Sequence, residues 1–202
     1  MSSSSTKISV SDILCEFFEV ALHNVLYAKK LYPETIFERK RKYGVAVFQC
    51  IHPEVNEYIN QCLKAVGFHT KNRKLKRLFV CFHNDDTIFE KYVFEVLDLI
   101  NCVESDGFLV DLEQSLRDFM LKLHSSQSYT DDLPGDCTFS VRLETSAYSS
   151  LEFNQQPAFE DFPWIELREE KENNVISPDI IPVHTVKTEF LTVQMYIERE
   201  AL

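Results

Sequence analysis

The chain has 202 residues, 45% of them hydrophobic, with 16 Phe, 8 Tyr and 1 Trp: enough for one domain with a sizeable core, and too apolar for a disordered protein. Its net charge of −11 disfavours indiscriminate nucleic-acid binding, yet ten Lys/Arg meet only Glu54 and Glu57 between Arg39 and Arg77, and twelve acidic residues lie from Glu144 onward. Charge interrupts every apolar stretch before it could span a bilayer, and six cysteines without a Cys-x-x-Cys pair point to reduced, packed thiols in cytosol or nucleus.

Residues 1–7 begin as a Ser-rich tail, expected to be mobile, without the basic start and apolar run of a secretory signal. Ser11-Asp12 opens a helix expected to reach about Leu31, with Pro33 as its stop. Its apolar residues, from Ile13 and Leu14 through Phe17, Phe18 and Leu26, cover nearly the whole circumference, which predicts a central, buried helix. The basic run Arg39–Lys42 has the composition of a nuclear-import signal and equally of a solvated loop. Val45–Ile51 reads as a short strand, and Pro53 stands at the first position of a helix that runs to Gly67 through Val55, Tyr58, Ile59, Cys62, Leu63 and Val66.

Leu75–His83 and Ile88–Leu97 predict two strands joined around Asn84-Asp85-Asp86. A third helix is expected over about Asp106–His124, with Leu109, Leu112, Leu116, Phe119, Met120 and Leu123 inward. After the Asp132–Asp136 turn, Cys137, Phe139, Val141 and Leu143 alternate with polar residues in a strand reaching Tyr148. Asn154–Pro157 is loop-like, and Ser177-Pro178 and Pro182 punctuate an extended stretch. The last strand, Phe190–Glu198, places Leu191, Val193, Met195 and Ile197 on one face and Thr192, Gln194, Tyr196 and Glu198 on the other. This order predicts an α+β domain with helices on one face of an antiparallel sheet.

The four glycines are isolated and form no phosphate loop, the six histidines form no His-x-x-x-His pair, and Cys50-x-His52 lacks a second ligand pair. No Gly-x-Ser-x-Gly elbow occurs, and Glu169-Glu170 reads as solvated charge. No catalytic residue, metal site or cofactor is expected, and the chain is not read as an enzyme.

Several ordered stretches carry a resemblance. They are Leu14–Val20, Tyr32-Pro33, Ile36–Tyr43, His52-Pro53-Glu54 with Tyr58-Ile59, Glu90–Glu95, Leu116–Phe119, Cys137-Thr138-Phe139, Asp161–Ile165 and Val193–Tyr196. Collinear from about residue 8 to 200, they resemble the HORMA family, and within it the branch of non-catalytic accessory subunits of DNA polymerase zeta. The resemblance implies a three-helix layer on an antiparallel sheet, a core over 8–148 and a mobile "safety belt" over 149–202 that folds across a partner's short peptide. It implies that Tyr58 and Trp164 touch that peptide, that Ile180, Gln194 and Tyr196 meet a second partner, and that Arg117 lies at a HORMA–HORMA dimer contact.

The partners so implied are the catalytic subunit of DNA polymerase zeta, a deoxycytidyl-transferring scaffold polymerase, a second HORMA domain and an AAA-type remodelling ATPase. The setting is lesion bypass in the nucleus. Two departures stand out: Glu166 occupies an apolar position of relatives, leaving Leu167 to fill that pocket or one wall altered, and Lys30 replaces an acidic residue. Two alternatives remain open at this point. One is a spindle-checkpoint-like regulator. The other is a direct nucleic-acid binder using Arg39–Lys42 and Lys71–Arg77, whose basic blocks lack interleaved aromatics for base stacking.

Overall fold

The computed structural model describes residues 9–85, 87–100, 106–126, 132–146, 153, 156, 159, 162, 164–167 and 178–199, with the side chains of 106–109 excepted. The tail at 1–7, Glu169-Glu170 and much of the proposed belt lie outside the described residues. Helix α1 (Val10–Ala28) buries Leu14, Phe17, Phe18, Ala21, Leu22, Val25 and Leu26, which leaves it little solvent face and makes it the hub of the molecule. It packs against strand β2 (Val45–Cys50), helix α2 (Pro53–Lys71) and helix α3 (Asp106–Ser126). It ends before Leu31 and without Pro33: the Lys29 N–H caps Val25 O, and Lys30 takes the left-handed conformation at φ 51.

The Arg39–Lys42 run is strand, not loop. Strand β1 (Phe37–Lys42) pairs antiparallel with β2, Phe37 opposite Cys50 and Lys42 opposite Val45. Tyr43 (φ 51) and Gly44 (φ 70) make the two-residue connection, both left-handed as a type I′ turn requires. A Cβ on Gly44 would lie 3.1 Å from Arg117 Nη1. Gly44→Ala therefore carries both a backbone and a contact penalty, and should cost about 1 kcal/mol in urea unfolding. A neutral result would mean that the turn relaxes freely.

The main sheet is antiparallel, in the order β5-β3-β4-β7-β6, from β3 (Leu75–His83), β4 (Ile88–Leu99), β5 (Thr138–Thr145), β6 (Asp179–Lys187) and β7 (Leu191–Arg199). One face carries Leu78, Val80, Phe82, Tyr92, Phe94, Val193, Met195 and Ile197, all buried beneath the helices. Phe17 meets Phe119 edge-on at 4.7 Å, Phe18 meets Phe94 at 5.7 Å, and Phe94 stacks over Phe119 at 6.1 Å, so aromatic rings join α1, α3 and β4. Strand β6 was not foreseen, because Pro182 lies within it. On an edge strand the missing N–H is tolerable, and the β6–β7 register shifts just there, between Pro182 and His184.

Buried polar groups seam α1 to its neighbours. Asn24 Oδ1 accepts the Phe48 N–H at 3.0 Å and lies 3.1 Å from His124 Nε2, which must donate to it. His23 Nδ1 accepts the Cys50 N–H at 3.3 Å. Among the described residues no group of three His, Cys, Asp or Glu side chains is placed to hold a metal ion.

Candidate functional site

Strand β5 has β3 on one side and, among the described strands, none on the other. The Val141 N–H points away from β3 and donates to Tyr58 Oη at 3.0 Å. By antiparallel alternation, Phe139 and Leu143 turn their peptide groups to the same outer edge. Proline at the first helical position starts α2 so that Tyr58, little more than one turn on, overhangs this edge. Burial, then the neighbouring Cys62, holds the Tyr58 phenol above its usual range, so it stays a neutral hydroxyl.

A row of aromatic contacts borders the edge. Tyr58 meets Phe139 at 5.3 Å and Phe162 at 5.8 Å, Phe162 meets Trp164 at 5.7 Å, and Trp164 meets Phe153 at 6.2 Å. Phe153 in turn stacks on His69 at 4.9 Å and on Phe159 at 4.1 Å, and touches Phe68 on α2. The chain after β5 is thereby fastened to α2 by ring contacts. Trp164 Nε1 is buried without a hydrogen-bond partner, an indole donor left open in an apolar setting. Ile165 (82% exposed), Glu166 and Leu167 (52%) are all exposed beside the aromatic row.

Ile180, Gln194 and Tyr196 come together on the sheet face away from the helices. Gln194 stands opposite Glu95 and Thr185, Tyr196 opposite Val93 and Pro182, and Ile180 opposite Glu198. The alternation of β7 leaves Tyr196 on that face, but it is not free: it is only 9% exposed, and burial raises its phenol above the usual range, opposed by Arg77. Arg77 itself bridges Glu95 at 3.0 Å and Glu144 at 3.4 Å. Ile180, at 61%, is the exposed member of the three. Arg117 lies elsewhere, exposed on α3 with its guanidinium over the Gly44 turn.

Residues 11–98 match the HORMA domain model. Over 194 residues the chain is 36% identical to the mitotic spindle assembly checkpoint protein MAD2B of Homo sapiens, covering 95% of this chain and 92% of the relative. The chain belongs to the HORMA family. It is also 30% identical over 196 residues to the DNA polymerase zeta processivity subunit of Arabidopsis thaliana, covering 96% and 87%.

Among solved folds, a chain of the mitotic checkpoint complex superposes with a TM-score of 0.79 at 17% identity, covering 95% of this chain and 98% of that one. C. elegans HTP-2 bound to the HTP-3 closure motif 1 gives 0.70 at 12% identity, covering 95% and 86%. A HORMA domain is a non-catalytic adaptor module, and this chain carries that role with its family. Of the residues in this aromatic row, the sequence singled out Tyr58 and Trp164 but not Phe68, His69, Phe153 and Phe159. Phe68 and His69 extend the helical pattern past Gly67, where α2 was expected to stop, and that was the available signal.

Proposed function

We propose that this HORMA domain is a peptide-clamping adaptor in which a partner's extended segment pairs with the outer edge of β5, beside Tyr58 and Trp164. One observation carries the reading: the C-terminal hairpin β6–β7 lies beyond β4, at the far side of the sheet, so β5 has no second neighbour among the described strands, while Phe153, Phe162 and Trp164 pack beside it. A strand added there gains main-chain hydrogen bonds, and the aromatic row supplies side-chain contacts. Covering the peptide acts mainly on its dissociation rate. The open Trp164 Nε1–H is suited to donate to a peptide carbonyl.

On this reading the peptide comes from the catalytic subunit of DNA polymerase zeta, as the name of the Arabidopsis relative supports. Ile180, Gln194 and Tyr196 would then engage the scaffold polymerase, chiefly through Ile180, with the complex working in the nucleus. Arg117 would meet a second HORMA domain, and an AAA-type ATPase would reset the clamp. A second reading, a spindle-checkpoint regulator holding a closure motif, is more directly favoured by the name of the human relative.

Calorimetry with each peptide in turn separates the two. The preferred peptide should bind the wild type tightly, and Trp164→Ala should weaken it roughly thirtyfold, about 2 kcal/mol. Equal binding by the variant would remove Trp164 from the site. Binding of neither peptide would overturn the clamp.

A further inference from the structure

We propose that the free edge of β1 is a second strand-addition site, independent of the β5 clamp, and that its occupant is an extended acidic peptide. Register decides which peptide groups of β1 face outward. The type I′ connection makes Lys42 and Val45 a hydrogen-bonded pair, and pairs alternate along the ladder. Lys42, Lys40 and Glu38 therefore direct their peptide groups to β2, and the Ile51 N–H bonded to Ile36 O at 2.8 Å confirms the phase at the far end. Arg39 and Arg41 direct theirs outward, to an edge with no described strand beside it.

The same two residues hold the unused charge. Lys42 reaches Glu16 at 2.8 Å and Lys40 reaches Glu38 at 3.6 Å. Among the described residues, neither Arg39 nor Arg41 has a carboxylate within ion-pair distance, and both are exposed. Two residues apart on a strand, they project to one side, roughly 6.6 Å from each other. An antiparallel peptide with acidic residues at alternate positions would offer carboxylates at that spacing while its main chain bonds the outward peptide groups of Arg39 and Arg41.

Charge selects among occupants. A second copy pairing β1 with β1 would set basic residues against basic residues, which is destabilising. Lys and Arg on an edge repel basic strands for the same reason and deter apolar ones, which would desolvate the charges unpaired, so the edge is guarded against all but an acidic strand. Duplex DNA matches the two arginines but has no peptide groups to pair with the outward N–H and C=O of a strand edge. The pairing of β1 to β2 also argues against the Arg39–Lys42 run acting as a detachable import signal.

The test uses the full chain with a short alternating Glu–Val peptide. In amide NMR spectra, Arg39 and Arg41 should shift and gain exchange protection. Arg39→Ala/Arg41→Ala, which removes only exposed side chains, should keep its urea midpoint and bind roughly tenfold more weakly. A peptide N-methylated at the positions facing β1 should not bind. Equal binding of the N-methylated or of a Lys–Val peptide would overturn the proposal, as would an unaltered affinity in the double variant. Short duplex DNA that binds and is not displaced by the Glu–Val peptide would replace it with a nucleic-acid site.

Discussion

Lys29→Met should destabilise the protein by about 3–5 kcal/mol at pH 7, because it strands a buried carboxylate. Lys29 Nζ lies 3.2 Å from Glu90 Oε2, with the two side chains only 3% and 4% exposed. Burial pushes the Glu90 carboxyl above its usual range, and Lys29, Tyr92 and Arg199 pull it back. Methionine reproduces much of the apolar stem of lysine, so the change removes charge more than packing. Without Lys29 the carboxyl rises further, and the folded state then binds a proton at pH values where the unfolded chain has lost it.

A carboxyl raised in the folded state contributes stability at low pH that is lost as pH rises through its folded value. The deficit of Lys29→Met should therefore shrink between pH 7 and pH 5. Lys29→Met/Glu90→Leu should recover most of it, since an apolar pair replaces a buried ion pair at little cost. Urea unfolding at both pH values measures this, and a deficit under about 1 kcal/mol, or one independent of pH, would show that Glu90 is solvated in practice. Glu90 stands opposite Arg199 in the β4–β7 ladder, so this pair also links the end of α1 to the last strand.

Helices α2 and α3 and strands β3, β4, β5 and β7 were legible because each keeps one period over enough residues to mark a buried face, and α1 because it is apolar nearly all round. Strand β1 was not: five consecutive charges, Glu38–Lys42, hide any alternation, and its strand character comes from β2 rather than from its own side chains. Pro182 hid β6, since only the sheet order reveals that its N–H is dispensable. The burial of Tyr196 follows from neighbours on β3, β4 and β6, which the alternation of one strand cannot report. Tyr58 and Trp164 were singled out through family likeness, not through any local pattern. The rings that surround them lie as much as a hundred residues apart and meet only once the chain is folded.

Acid should unfold the protein early, and His23 should account for a large share of it. Its side chain is buried, accepts the Cys50 N–H through Nδ1, and is held by burial, then by Lys40, at about 4 instead of its usual 6.5. Between those values the unfolded chain binds a proton that the folded chain refuses, so stability is complete above about pH 6.5 and falls as pH drops toward 4. The gap corresponds to about 3 kcal/mol. His69, His124 and His184 are lowered by burial too and steepen the same limb.

His23→Asn isolates the contribution. The amide Oδ1 takes the place of Nδ1 as acceptor for Cys50 and does not titrate, at a packing cost of about 1 kcal/mol near neutrality. Urea midpoints for both proteins at pH 7.5 and 4.5 cancel the protonation of surface carboxylates common to the two. The variant should lose about 2–3 kcal/mol less than the wild type over that interval. Parallel losses would mean that His23 is already charged in the fold, with the Cys50 N–H bonded elsewhere. The seam between α1 and β2 would then be polar and hydrated, and the ribbon that displays Arg39 and Arg41 would be only loosely anchored to the core.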